Sequence, residues 1–373
     1  MIIGVPRETK RDEYRVALTP DAAQLLIKAG HSVWLEHGAG DFCGFEDSEY
    51  DLVGVELFDK KRIFGEAELI VKVREPSEDE LEMLMPGQSV FSFLHLAANE
   101  KLLKSLLDNK VTAFAYETLE KDGSLPILRP MSEIAGKMSP LIGAFYLQKH
   151  FAGTGVLPTG VAGARPAKLL ILGAGTVGLN AAVTGNSLGM ETVVMNHSVE
   201  SLVEIDKMFG GRVRTIVLSD RDLYNEIRSA DIIVGAASST GKRTEQLVKR
   251  LMLRTLKHGA VIVDVSADQG GCFETTIPTT HSNPVYEVEG ITHYAVTNMP
   301  SAYPVTSTVT LTNATLPFIK EIADNGIDAA IKTSSELRSS LNTYAGKIIH
   351  KGLLESVGAV ADQFDPGKMR TKD

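Results

Sequence analysis

Cysteine is nearly absent: Cys43 and Cys272 are the only thiols in 373 residues, and neither belongs to a Cys-x-x-Cys or Cys/His cluster. That argues against a disulfide framework and a thiolate-held metal, and makes a reducing compartment the expectation. A basic tract is missing as well. Lys and Arg number 38 against 47 Asp and Glu, a net charge of −9. Nucleic acid and anionic membrane are therefore poor partners, and small solutes fit better. The start, Met-Ile-Ile-Gly-Val-Pro-Arg-Glu, lacks the apolar core of a signal peptide and the Arg/Ser-rich pattern of a transit peptide, so the expected location is cytoplasmic. One uncharged stretch, Leu169 to Met190, has the length of a bilayer span. Its interruptions, Gly173, Gly175, Gly178, Asn180, Gly185, Asn186, Ser187 and Gly189, make it read instead as strand, glycine turn and helix.

What is present is a folded chain, 43% hydrophobic and 23% charged, long enough for two or three domains. Apolar runs at Ile2 to Val5, Ser32 to Leu35, Glu68 to Val73, Ser89 to Leu94 and Thr112 to Ala115 alternate with helical patterns. Glu100 to Asn109 shows the helical spacing best, through Leu102, Leu103, Leu106 and Leu107. A long helical pattern covers Ser132 to His150, and Gly153 to Pro166 reads as a Gly/Pro-rich linker. A second series then places strands at Lys168 to Leu172, Thr192 to Met195, Asp231 to Gly235, Ala260 to Val265 and Thr292 to Val296, with helices at Thr315 to Asp324 and Ser335 to Phe364. Strand and helix in repetition predict an α/β fold with two parallel sheets, each covered on both faces.

Leu169 to Leu172 runs into Gly173-Ala174-Gly175-Thr176-Val177-Gly178 and then a helix. The first glycine permits the tight turn, the second lets the backbone approach a pyrophosphate, and the third lets helix and strand pack closely. Free amides at the helix start face the phosphates. In this context the motif predicts a dinucleotide site. The acid expected at the end of the next strand is Asn196, which can bond a ribose hydroxyl but does not repel a 2′-phosphate. No Arg follows at once to hold such a phosphate, so NAD is the leading expectation and NADP stays open.

Several runs together resemble the alanine dehydrogenase family, which shares its fold with the nucleotide-binding subunit of proton-translocating transhydrogenase. They are Ile3-Gly4-Val5-Pro6, Arg15-Val16-Ala17-Leu18-Thr19-Pro20, Phe93-Leu94-His95-Leu96-Ala97-Ala98, Ala115-Tyr116-Glu117-Thr118, Pro130-Met131-Ser132-Glu133, the glycine loop, Asp268-Gln269-Gly270-Gly271-Cys272-Phe273-Glu274 and Thr297-Asn298-Met299-Pro300. The resemblance implies two doubly wound domains. A Rossmann NAD-binding domain, residues 131–302, would be inserted into a discontinuous substrate domain made of residues 1–130 and helices in 303–373. It further implies that Arg15 binds the substrate carboxylate and that His95 and Asp268 are catalytic. Ser132, Thr176, Val177, Ala237, Ser238, Val265, Ser266, Ala267, Val296, Thr297, Asn298 and Met299 would join Gly173, Gly175, Gly178 and Asn196 around the cofactor. No metal is implied, and a homo-oligomer, commonly a hexamer, is.

The residue chemistry agrees, with plain alternatives beside it. A guanidinium fork matches a carboxylate, although an Arg in such a loop is ordinarily a solvated surface charge. His95 follows an apolar strand, where an α/β sheet presents ligand-facing groups, and imidazole suits proton transfer near neutrality; a satisfied structural His is the alternative. Asp268 before two glycines is either a loop carboxylate near the cofactor or a turn cap. Four positions depart from the family pattern. Arg74 stands where a substrate-binding lysine is usual, Asn196 replaces the ribose acid, Ser201 replaces a lysine and Ile277 an arginine. Lys72 is two strand positions away, roughly 6.5 Å, too far to substitute for position 74. The leading expectation is reversible NAD-dependent deamination of L-alanine to pyruvate and ammonium. Arg74 leaves open a relative acting on an acidic or bulkier amino acid, and the rival class is a transhydrogenase-type nucleotide-binding module.

Overall fold

The computed structural model describes residues 1–237 and 244–357. The chain forms two compact units, Met1–Met131 with the residues from Ser301 onward, and Ser132–Pro300. The first crossing falls inside a helix, Leu128–Tyr146.

The first unit holds an eight-stranded sheet built from β1 (Ile2–Val5), β2 (Ser32–Glu36), β3 (Glu56–Phe58), β4 (Leu69–Val71), β5 (Ser89–Ser92), β6 (Thr112–Ala115) and, from the end of the chain, β14 (Leu341–Tyr344) and β15 (Lys347–Ile348). β3-β2-β1-β4-β5-β6 are parallel neighbours in that order, and β14 and β15 extend the sheet antiparallel beyond β6. The order reverses between β1 and β4, which opens a crevice at the carboxyl ends of those strands. Strands buried on both faces read as unbroken apolar runs, and Val90, Phe91, Ala113 and Phe114 are accordingly buried. The helix Glu100–Asp108 buries Leu102, Leu103 and Leu106 against this sheet's core. Asn99 caps it by accepting the Leu102 N–H at 3.1 Å, a contact worth about 1 kcal/mol.

The second unit repeats the scheme with β7 (Lys168–Leu172), β8 (Glu191–Asn196), β9 (Arg214–Val217), β10 (Ile232–Gly235), β11 (Val261–Asp264), β12 (Val285–Val288) and β13 (Ile291–Tyr294). Its order is β12-β13-β11-β10-β7-β8-β9, all parallel except β12. That is the doubly wound dinucleotide-binding order with one antiparallel edge strand, reversing between β7 and β10. The uncharged stretch from Leu169 divides into β7 and the helix Thr176–Ser187. Among the described residues no helix is long and apolar enough to cross a membrane. In Leu128–Tyr146, Pro140 cannot donate to the Gly136 carbonyl, and the Ser139 hydroxyl does so instead at 2.8 Å.

Two expectations need correction. The tail from Ser335 is not one helix: helix Ser335–Ser340 ends in the hairpin β14–β15, and a helix resumes at Lys351–Val357. Thr343 and Tyr344 favour a strand, and Ala345 and Gly346, at φ 50 and 79, make the two-residue turn that a hairpin needs. Residues 358–364 of that expectation lie outside the described residues. Gly153 to Pro166 is not a free linker either. Its backbone is tied into the second unit by Thr154 N–H to Gly259 O, Gly155 N–H to Leu147 O, and Ala167 N–H to Pro158 O.

Candidate functional site

In the first unit the site candidates follow the carboxyl ends of four adjacent parallel strands. Arg15 comes after β1, Arg74 after β4, His95 after β5, and Glu117 after β6. Helix Pro304–Asn325 holds the Arg15 segment, because Thr308 accepts the Val16 N–H and Thr312 donates to the Ala17 carbonyl, both at 3.2 Å. Arg15 is not a surface charge; it is 3% exposed. Glu13 takes its Nε at 2.7 Å and its Nη2 at 2.6 Å, while Nη1 lies 3.1 Å from Met131 Sδ. Burial opposes the guanidinium charge, but Glu13 outweighs it and holds the pKa above its ordinary value.

Lys72 is fully buried, bridging Glu8 and Glu80 at 3.3 Å each. Burial works to lower its pKa, and the two carboxylates raise it further than that. The Glu8 carboxyl is pushed up by burial. Its Oε1 also accepts the backbone N–H of Val73 at 2.7 Å and of Arg74 at 3.4 Å, so it fixes the segment that carries Arg74. Arg74 itself bonds Glu75 through Nε at 3.1 Å.

His95 has φ 48 and ψ 43, a left-handed conformation that costs a non-glycine residue about 1–2 kcal/mol. Glu117 holds it there by accepting the N–H of Leu94 at 3.3 Å and of His95 at 2.7 Å. The same oxygen stands 4.0 Å from His95 Nδ1, and the ring stacks on Phe93. Its side chain remains 43% exposed. Glu8, Glu13 and Glu117, which hold the Arg74, Arg15 and His95 segments, were not singled out in the sequence; their signal was position, just past the ends of β1 and β6.

In the second unit the cofactor candidates again follow strand ends. Gly173, at φ 118, faces Ala236, whose carbonyl would be 2.5 Å from an added Cβ; at Gly178 a Cβ would stand 1.9 Å from the Gly173 carbonyl. At Gly175 a Cβ would meet nothing within 4 Å, so the loop is open there. Gly175 caps the helix Thr176–Ser187 without a side-chain bond, leaving first-turn amides, including those of Thr176 and Val177, to face a phosphate. Such a cradle fits the dinucleotide. Ser132 lies one turn before Gly136, where a Cβ would stand 2.4 Å from the Val177 carbonyl, so its helix packs directly behind the glycine loop.

Asn196 ends β8, half-buried, and its amide donates to Ser198 O at 3.3 Å. Ser198 caps the next helix by accepting the Ser201 N–H at 3.2 Å. Beside them is a cavity of about 1060 Å³ whose lining includes His197, Leu218, Asp220, Arg221, Tyr224 and Glu245. Ile277 is an exposed side chain whose N–H donates to the Tyr286 hydroxyl. Ala237 follows β10, and its carbonyl accepts from Ser266. Ser238 lies outside the described residues.

Past β11 come Val265, Ser266, Ala267 and Asp268, the last exposed on the short turn Ala267–Gln269. This loop is organised by Asp264, a buried carboxyl that accepts from Ser266 N, Cys272 N and Thr276 Oγ1. Burial pushes its pKa up to about 6. Val296 and Met299 are buried after β13, Thr297 is exposed, and Asn298 receives a hydrogen bond from His281 at 2.7 Å. Among the described residues no cluster of His, Cys, Asp and Glu is arranged to hold a metal.

Comparison with known proteins gives a concordant picture. Residues 4–135 match the family model "Alanine dehydrogenase/PNT, N-terminal domain", and residues 139–351 match "Alanine dehydrogenase/PNT, C-terminal domain". An alanine dehydrogenase from Halomonas elongata is 43% identical over 96% of this chain and 97% of its own length. One from Methanococcus maripaludis is 42% identical over 95% and 96%. A solved L-alanine dehydrogenase superposes with a TM-score of 0.93 at 39% identity, covering 96% of this chain and 99% of that one. A transhydrogenase from Sinorhizobium meliloti, at 23% identity, shares the fold with a TM-score of 0.81 over 94% and 99%. Matched across both units by models and by near-full-length relatives, the chain belongs to the alanine dehydrogenase/PNT family.

Proposed function

We propose that this chain is an NAD-dependent L-alanine dehydrogenase, converting L-alanine and water reversibly to pyruvate and ammonium. The observation that carries the reading is the set Arg15, Arg74 and His95 at adjoining strand ends of one unit, in a chain whose other unit has an open glycine cradle. A module that only bound nucleotide would have no use for the first set. The dinucleotide, when bound, supplies the acceptor for the hydride from the substrate Cα. Gly173, Gly175 and Gly178 let it approach, with Thr176, Val177 and the strand-end residues from Asn196 to Met299 around it.

Arg15 and Arg74 orient the substrate carboxylate, a positioning effect worth several kcal/mol. His95 takes the proton as water adds to the imine and returns it as ammonia leaves. Asp268 is the second catalytic residue, a carboxylate carried on a loop whose shape Asp264 sets. NAD leads over NADP because no Arg directly follows Asn196 to hold an added phosphate; the cavity beside it is lined by Asp220 and Glu245 but equally by Arg221 and Lys249, so its net charge does not discriminate. The same reading takes the working form to be a cytoplasmic homo-hexamer, to which exposed Leu141, Phe145, Leu157 and Val161 would lend apolar surface.

Initial rates with NAD and NADP against alanine and a panel of acidic and bulkier amino acids test this. Alanine with NAD should be the best pair; absence of alanine-dependent NAD reduction would overturn the reading. His95→Ala should abolish turnover while NAD still binds.

A further inference from the structure

The crevice between β1 and β4 is bordered by two loops, and their charges are unevenly matched. On Arg15, Glu13 answers the guanidinium at two nitrogens. Lys72 is answered by Glu8 and Glu80, and Glu80 is shared with Lys60 at 3.7 Å, which in turn reaches Glu36 at 4.0 Å, so this cluster holds no unmatched cation. At Glu75 the balance reverses. That single carboxylate, 7% exposed, is shared by Arg74, through Nε, and by Lys10, which pairs with its Oε1. Burial works against ionised Glu75, yet the two cations outweigh it and hold its carboxyl below the ordinary range. Lys10 lies on the β1 loop and Arg74 and Glu75 on the β4 loop, so the pair spans the switch-point crevice.

We infer that Lys10 is a positioning and charge-supplying residue for the substrate carboxylate: with Glu75 it fixes Arg74, and it leaves the Arg74–Glu75–Lys10 group one positive charge in excess. Arg74 Nε is anchored by Glu75 and its main-chain N–H by Glu8, which directs the remainder of the fork to a ligand. The excess charge matches one carboxylate. A second carboxylate, as on an acidic amino acid, would meet Glu8, Glu13 and Glu80 with no further unmatched cation among these groups. The ligand class is therefore a small monocarboxylate. Arg15, already neutralised by Glu13, contributes hydrogen-bond geometry more than net charge.

This inference rests on the alanine dehydrogenase reading, and the test separates the two. Reductive amination of pyruvate is measured on the full chain for wild type, Lys10→Met and Lys10→Arg, alongside calorimetric titration of pyruvate in the presence of NADH. Lys10→Met should raise the KM for pyruvate about fivefold and weaken pyruvate binding in parallel, with kcat within about twofold. Lys10→Arg should restore both, and the difference from wild type should shrink at high salt, because a charge of this exposure is screened. A merely structural Lys10 would instead lower kcat and thermal stability with no salt dependence. Unchanged KM and affinity in Lys10→Met, while wild type turns over, would overturn the inference alone. If wild type neither binds nor reduces pyruvate, both the inference and the reading fall.

Discussion

Glu117 accepts the backbone N–H of His95 at 2.7 Å and places the same oxygen 4.0 Å from that residue's Nδ1. One carboxylate thus holds the strained left-handed turn and faces the ring that the turn presents. In the proposed mechanism the ring's other nitrogen, Nε2, is the one that meets the substrate. Glu117→Gln keeps the size of the side chain but removes its charge. A hydrogen bond to a charged group is worth about 1.5–3 kcal/mol, so kcat for alanine oxidation should fall by about tenfold or more, with the KM for NAD little changed. Steady-state kinetics with both substrates varied would check this, and an unaltered kcat would remove Glu117 from the proposed machinery.

The glycine loop makes two opposite expectations. Gly175 has φ −76 and open space where a Cβ would stand. Gly175→Ala should therefore leave stability unchanged or raise it by up to about 1 kcal/mol, because the unfolded chain loses freedom. The same methyl would occupy the approach to the pyrophosphate, so NAD affinity should drop at least tenfold in a fluorescence or calorimetric titration. Gly178→Ala would push a Cβ to 1.9 Å from the Gly173 carbonyl, and the second unit should lose cooperative unfolding instead. Equal effects of the two substitutions on stability would contradict these separate roles.

These contrasts also mark what the sequence could disclose. The long apolar strands and the glycine loop were legible because their periodicity and spacing are local properties. β3, β9 and β12 were missed, being short and largely half-exposed or exposed, with weak alternation. The hairpin β14–β15 was hidden because pairing with β6, more than 220 residues away in sequence, decides it. At the site, Arg15 and His95 could be singled out by residue type and position. Their partners Glu13 and Glu117 are ordinary glutamates until the fold brings strand ends together. The excess charge at Arg74 is a property of three residues on two loops, and no single motif carries it.

Asp264 gives the loop before Asp268 a pH dependence of stability. Its carboxyl is raised by burial from 3.8 to about 6 in the folded chain. A folded pKa above the unfolded one means the native state binds the proton more tightly. The stabilising contribution is complete below pH 3.8 and is lost as pH rises through about 6. Two pKa units correspond to about 3 kcal/mol, an upper figure for one group. Asp264→Asn, which cannot ionise, should flatten this component. Urea unfolding of both proteins from pH 4.5 to 7.5 should show wild type losing ground to the variant with rising pH and levelling off near neutrality. Parallel pH profiles would show that Asp264 keeps an ordinary pKa.

Asn196 ends β8 with its amide donating to Ser198 O, which leaves its side-chain oxygen to accept from a ribose hydroxyl. Such a contact tolerates both the free ribose and its 2′-phosphate, because the amide has no net charge. The wall of the adjoining cavity adds little discrimination, since Asp220 and Glu245 are balanced there by Arg221 and Lys249 and solvent screens all four. Asn196→Asp would place an anion at the strand end itself. It should strengthen NAD through a charge-assisted bond to the ribose and repel the phosphate of NADP. The ratio of kcat/KM for NAD over NADP should rise at least tenfold, about 1.4 kcal/mol, through a lower KM for NAD and a higher one for NADP. The two initial-rate series measure that ratio directly, and an unchanged ratio would mean that the ribose does not sit at the end of β8.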